Sequence, residues 1–134
     1  MCGISGFIDK KGKFSQSERK LVVRNMLRLM RHRGGDAIGV KTHNNIAIGH
    51  TRLSIVDSSL RANQPFADAD SILSFNGEIY NHRELRNKYG KQKLVSYSDT
   101  ATLFELLRLL PLKKVLTLIQ GMYAFSYFNK KKDL

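Results

Sequence analysis

An α+β domain with layered sheets is what this sequence predicts, and three observations carry the prediction. The 134 residues suffice for one hydrophobic core and not for two. Strand-like and helix-like segments follow in the order strand, helix, strands, helices, strand, which is not the strict alternation of a parallel sheet. No internal repeat, low-complexity stretch or linker divides the chain, so residues 1–134 are expected to form one domain.

Taken in order, residues 4–8 read as a short buried strand and residues 9–13, around Gly12, as a turn. Ser15 and Glu18 stand three apart as a capping box, and Val22, Met26, Leu29 and Met30 recur at helical spacing on one face. Arg33, Gly34, Gly35 and Asp36 break that period, after which residues 46–49 and 53–56 read as two strands. Residues 57–70 form a polar connection carrying Pro65. Residues 72–75 are a strand that runs into Asn76-Gly77, a dipeptide prone to tight turning with positive φ. Asn81 and Glu84 resemble a helix start, residues 100–110 are a strong helix stopped by Pro111, and residues 115–119 a shorter helix ended by Gly121. The last strand spans residues 123–128, with Tyr123, Phe125 and Tyr127 on one face.

Composition excludes several classes. A hydrophobic fraction of 42% is too high for a disordered basic tail. Every apolar run is interrupted by Arg or Lys well before the roughly 20 residues of a membrane span, so no membrane association is expected. The N-terminus lacks the basic-then-apolar order of a secretory signal, and a cytoplasmic protein is expected. Lys and Arg number 23 against 11 Asp and Glu, a net charge of +12. These cations are scattered through nearly every segment without interleaved aromatics or zinc-ligand spacing, so nucleic acid is not the expected partner.

The chemistry begins at the single cysteine, Cys2, directly behind Met1. Removal of Met1 would leave a cysteine carrying its own free α-amine, a nucleophile and a base on one residue. Free α-amines ordinarily titrate near about 7.7 to 8.0, close to the range suited to general acid-base work, so no histidine is needed. The bland alternative is that Cys2 is a small apolar residue leading into a buried strand.

Other blocks bear on that choice. Met-Cys-Gly-Ile opens the chain, Arg31-His32-Arg33-Gly34-Gly35-Asp36 with Gly39 follows, and then His50-Thr51-Arg52-Leu53-Ser54-Ile55-Val56-Asp57. Gln64-Pro65-Phe66, Phe75-Asn76-Gly77-Glu78-Ile79-Tyr80-Asn81, Ser98-Asp99-Thr100 and Gln120-Gly121-Met122-Tyr123-Ala124-Phe125 complete the series. In this order and across essentially the whole length, the sequence resembles the N-terminal glutaminase domain of glutamine-hydrolysing asparagine synthetases, which are class II, N-terminal-nucleophile glutamine amidotransferases. The resemblance implies a layered αββα sandwich of N-terminal-nucleophile hydrolase type.

It also implies roles. Cys2 would attack the glutamine side-chain amide to give a thioester, with the Asn76 side chain and Gly77 N–H as oxyanion donors. Arg52 would grip the α-carboxylate in a bidentate fork, and Asp99, assisted by Glu78, would take the α-ammonium. Backbone groups at Ile55 and Val56 would complete the contacts, while Arg31, His32 and Arg33 would shape a loop. Read without the resemblance, Asn76-Gly77 could be only a hairpin turn, and Ser98 or Asp99 only a helix cap. Two departures are visible: Gly35 stands where the family has Pro, and Ala101 where it has Glu, which removes half of a second capping box.

The family's glutaminase domain continues beyond the last strand and is followed by an ATP-dependent synthetase domain. The fold is therefore expected to be incomplete at the C-terminus, with the synthetase domain absent and the ammonia passed to such a domain or to a separate chain. No metal or cofactor is expected here, ATP and magnesium belonging to the synthetase domain alone. An unpaired edge on the last strand would invite a partner or a homo-oligomer. The rival reading is a catalytically weak remnant that serves as a glutamine-binding or basic interaction module.

Overall fold

The computed structural model describes residues 1–55, 57–90 and 96–131. Among them β1 (Gly3–Ile8), β2 (Ala37–His43) and β3 (Ile46–Arg52) form one antiparallel sheet in the order β1-β3-β2. A second antiparallel sheet has the order β4-β5-β6, from β4 (Phe66–Ala67), β5 (Ser71–Ile79) and β6 (Gly121–Asn129). Helix α1 (Gln16–Leu29) lies on the first sheet, and α2 (His82–Tyr89), α3 (Asp99–Leu109) and α4 (Leu112–Leu118) lie on the second. The two sheets face each other, giving the αββα layering expected from the sequence.

Strand alternation builds the three apolar layers. Ile46 and Ile48 of β3 meet Ile72 of β5 and Phe128 of β6 between the sheets. Ala47, one residue out of phase, meets Val23 and Leu27 of α1 on the outer face. On the far side Leu73, Phe75 and Ile79 of β5 pack against Leu85, Leu103, Leu106 and Val115, with Tyr123, Phe125 and Tyr127 of β6 at the margin. All seven residues of β3 are buried, because this strand is central in its sheet and covered on both faces.

Several expectations are corrected by packing. The Ser15–Glu18 capping box forms, but α1 buries Val23 and Leu27 fully and leaves Leu29 83% exposed. The reason is Gly49 of β3: a Cβ there would stand 2.5 Å from Val23 Cγ1 and 2.6 Å from Leu27 Cδ1, so the helix settles over the glycine and its buried stripe is turned by one residue. Strand β2 escapes a sequence reading because the stretch carries Gly39 and Lys41 and its apolar signal is weak, yet it pairs along its whole length with β3 across a turn at Asn44. Residues 53–55 are not a strand. Their N–H groups leave the ladder, Leu53 donating to Cys2 Sγ and Ser54 to Asp36 Oδ2, and Val56 lies outside the described residues. Asn76-Gly77 does not turn either: β5 runs straight through it, with Asn76 opposite Ala124 and Gly77 opposite Tyr123.

One polar group is sealed between the sheets. His50 of β3 is fully buried, and its Nε2 contacts the Phe75 carbonyl of β5 at 3.0 Å. A carbonyl only accepts, so Nε2 is the donor and Nδ1, which has no partner among the described residues, carries the lone pair. Burial pushes the pKa down to about 4, aided by the Arg52 charge and opposed by the Phe75 bond. An unfolded His50 would titrate near its ordinary value, so between about pH 6.5 and 4 the unfolded chain holds a proton that the folded one does not. Stability should therefore fall with acidification across that window, by about 3 kcal/mol from this residue. Urea melts at stepped pH on wild type and His50→Gln check it: the variant's curve should be flatter by that amount, and parallel curves would refute the assignment.

Candidate active site

The antiparallel register of the first sheet sets where the chain's first residues lie. Gly3 sits opposite Thr51, which brings Cys2 level with Arg52 at the end of β3. Cys2 is partly exposed and held at two points: its Sγ accepts from Leu53 N–H at 3.4 Å, and its carbonyl accepts from Arg33 Nε at 3.0 Å. The same sulfur also lies 3.8 Å from the Leu53 carbonyl. Arg33, read from sequence as loop-shaping, thus reaches the candidate nucleophile's own backbone. The loop around it is pressed on the strand end, since a Cβ at Gly34 would come within 2.6 Å of the Arg52 carbonyl carbon.

A cavity of about 220 Å³ opens beside Cys2. Its walls include Cys2, Arg52, Ile55, Asn76, Gly77, Glu78 and Asp99. Seven of the eight residues expected from the sequence thereby share one space, although they are drawn from positions 2 to 99; the eighth, Val56, lies outside the described residues. A larger cavity of about 590 Å³ between β1 and β6 has no carboxylate, cysteine, histidine or cation among its lining residues.

Arg52 is 6% exposed and anchored by the connection that follows it. Its Nη1 donates to the Ser59 carbonyl at 3.0 Å and to Asn63 Oδ1 at 2.7 Å, and its Nη2 donates to the Asp57 carbonyl. Both Nη atoms are thus engaged, while Nε has no partner among the described residues and Arg52 lines the cavity. Asp57 is itself fixed. Its Oδ2 accepts from Ser96 Oγ at 2.6 Å and its Oδ1 from Ser59 N–H at 2.9 Å. The Ser96 and Ser59 bonds hold its pKa down at about 2.

On the opposite wall, β5 presents Asn76 and Gly77. Tyr80 N–H donates to Gln120 at one end of the β5–β6 pair and Lys130 N–H to Asp70 at the other, so even-numbered residues carry the bonds to β6 and odd-numbered ones point away. The outward N–H groups are answered in turn. Ser71 donates to Asp68 Oδ1, Leu73 pairs with Phe66 of β4, Phe75 donates to Gln64 Oε1, and Ile79 donates to Asp99 Oδ2. Gly77 N–H alone in this row meets no acceptor among the described residues, and it faces the cavity. Gly77 has φ 148°, and a Cβ would stand 2.2 Å from the Met122 carbonyl, so only glycine fits.

Asp99 occupies the first turn of α3 and is 6% exposed. Its oxygens accept from Ile79 N–H at 3.0 Å and Thr100 N–H at 2.8 Å, while the cap itself is Ser98, whose Oγ accepts from Ala101 N–H. The helix-cap role left open between Ser98 and Asp99 thus falls to Ser98. Glu78 is exposed on the rim. Sequence reasoning gave no role to Gln64 and Asp57, which also line the cavity, or to Asn63 and Ser96, which hold Arg52 and Asp57; the motif blocks ending at Asp57 and starting at Gln64 were the available signal.

This constellation can hold a zwitterionic amino acid between a cation and a carboxylate, with a thiol at one side and an unclaimed N–H at another. Comparison with known proteins accords with it. Residues 1–134 match the family described as the glutamine amidotransferase domain. The chain is 37% identical to asparagine synthetase B [glutamine-hydrolyzing] of Escherichia coli K12, over 99% of this chain and 24% of that protein. It is 33% identical to a putative asparagine synthetase [glutamine-hydrolyzing] 2 of Methanocaldococcus jannaschii, over 100% and 29%. The chain thus spans about a quarter of the length of these relatives. Its fold superposes on the glutamine phosphoribosylpyrophosphate amidotransferase of Bacillus subtilis with a TM-score of 0.72 at 19% identity, covering 96% of this chain and 35% of that one. That is the same layered fold of N-terminal-nucleophile type. With the family's sequence signature running from residue 1 to residue 134 over this fold, the chain belongs to the glutamine amidotransferase domain family.

Proposed function

We propose that this chain is a glutaminase module that hydrolyses glutamine to glutamate and ammonia through a Cys2 thioester, in support of asparagine synthesis. The observation that carries the reading is the single cavity shared by Cys2, Arg52, Asn76, Gly77, Glu78 and Asp99. In the proposed reaction the α-amine freed by loss of Met1 takes the thiol proton, Sγ attacks the amide carbon, and the oxyanion is met by the Asn76 side chain and Gly77 N–H. The same amine returns the proton to the departing ammonia, and water then cleaves the thioester. Arg52 holds the α-carboxylate; Asp99, with Glu78 at the rim, takes the α-ammonium, and the backbone at Ile55 adds a further contact. No step calls on a metal or cofactor in this chain. ATP and magnesium belong to the synthetase partner that would receive the ammonia, a domain or a separate chain, and residues 1–134 act as one amidotransferase domain in the cytoplasm.

Intact-mass analysis tests the nucleophile. A glutamine-analogue alkylator should add one equivalent to a chain that has lost Met1, Cys2→Ala should take none and hydrolyse no glutamine, and undiminished hydrolysis by that variant would defeat the mechanism. Asn76→Ala should lower kcat by about 100- to 1,000-fold with a smaller change in affinity, because oxyanion donors act mainly in the transition state. Equal losses in kcat and in glutamine affinity, the latter read by calorimetry, would place Asn76 in ground-state binding instead.

We also propose self-association through β6. The N–H and C=O groups of Tyr123, Phe125 and Tyr127 face away from β5 and pair with no strand among the described residues, and such an edge is a template for another chain. Analytical ultracentrifugation of the 134-residue chain should show concentration-dependent association; a monomer at every concentration would end this part of the proposal.

A further inference from the structure

The support of the oxyanion strand carries an inference of its own, resting on the reading of Gly77 as an oxyanion donor. Strand β4 begins only at Phe66, which pairs with Leu73, so its ladder stops before the level of Phe75. The next outward position of β5, Phe75, has no backbone partner there. Gln64 supplies one with its side chain: Oε1 accepts from Phe75 N–H at 2.7 Å, and Nε2 donates to Thr100 Oγ1 at 3.4 Å. The Phe75 carbonyl, on the same edge, takes the His50 Nε2 proton at 3.0 Å. Gln64, Phe75, Thr100 and His50 are all at most 8% exposed, so water does not substitute for these bonds.

We propose that Gln64 is a positioning residue for glutamine hydrolysis, fixing the peptide that launches Asn76-Gly77 and tying it to the turn of α3 that bears Asp99. Three features favour this over a merely structural role. The side chain replaces the missing register partner of Phe75, two residues before Gly77, so its loss loosens the strand leading into the two donors while the even-numbered edge stays paired to β6. Its other end grips Thr100, next to Asp99, so one amide sets the spacing between the oxyanion donors and the ammonium acceptor. Gln64 itself is held from behind, for Gly39 of β2 lies so close that a Cβ there would stand 2.0 Å from the Gln64 carbonyl.

The test compares Gln64→Leu, which lacks both bonding ends, with Gln64→Glu, which keeps the acceptor for Phe75 N–H, in the processed chain. Gln64→Leu should lower kcat for glutamine hydrolysis by about 10- to 100-fold with KM little changed, and Gln64→Glu should restore most of that loss. Amide hydrogen exchange at Phe75 should quicken in Gln64→Leu while Leu73 stays protected. Wild-type kcat in a folded Gln64→Leu, a rise in KM matching the loss in kcat, or unaltered Phe75 exchange would overturn the proposal. If Gln64→Leu does not fold, Thr100→Val releases only the Nε2 end and should show the same kcat pattern in smaller measure; full activity there would overturn it equally. Should the wild-type chain neither bind nor hydrolyse glutamine, the amidotransferase reading itself fails, and the exchange at Phe75 alone decides what Gln64 does.

Discussion

The structure turns on one constraint: the backbone N–H groups of Ser71, Leu73, Phe75 and Ile79, all buried residues on the outward edge of β5, must find acceptors. Each is answered by a different element. A carboxylate from the β4–β5 connection takes Ser71, strand β4 takes Leu73, the Gln64 amide takes Phe75 and the first turn of α3 takes Ile79. Satisfying this row draws the connection at 57–65 and the start of α3 to the same strand, and those two segments carry the supports of Arg52 and the Asp99 carboxylate. The single gap in the row, at Gly77, is where the cavity lies. An unclaimed N–H beside the cavity is what remains when the other donors on this edge have been satisfied.

The opposite wall is built by electrostatics rather than by register. Arg52 would be a costly buried cation without acceptors, and the carbonyls of Asp57 and Ser59 with Asn63 Oδ1 supply them at its two Nη atoms. Asp57 in turn accepts from the Ser96 hydroxyl, whose oxygen can accept from the hydroxyl of Ser98, the cap of α3, 3.1 Å away. A continuous set of hydrogen bonds thus runs from the cation on one side of the cavity to the helix that presents Asp99 on the other. The charge-assisted bonds of Arg52 and Asp57 fix its cationic end, and neutral hydroxyl bonds at 3.1–3.2 Å carry the set on to α3.

Most of the layering was legible in the sequence because apolar period and capping signals are local. The Ser15–Glu18 box, the stop at Pro111 and the alternating aromatics of β6 each lead to the element observed. The failures have one cause in common, that a neighbour decided. The buried stripe of α1 was set by Gly49 on another element, β2 was drawn out by pairing with β3, and Asn76-Gly77 was kept extended by β6 against its own turn preference. The lining residues were visible because their types suit the chemistry. Gln64, Asn63 and Ser96 were not, since an amide or hydroxyl in a polar connection looks the same whether it meets water or a buried N–H.

The anchorage of Cys2 bears on how such a site comes into use. With Met1 in place the nitrogen of Cys2 is an amide and cannot act as a base, and Met1 itself stands at the cavity wall. Yet the contacts that fix Cys2 involve only its sulfur and its carbonyl, through Leu53 and Arg33. Met1 is 69% exposed and contributes none of them. Cleaving the Met1–Cys2 peptide bond therefore removes no interaction that orients the nucleophile. It would convert an amide into a free amine beside a thiol already held by Leu53 and Arg33, which is the arrangement the proposed mechanism requires.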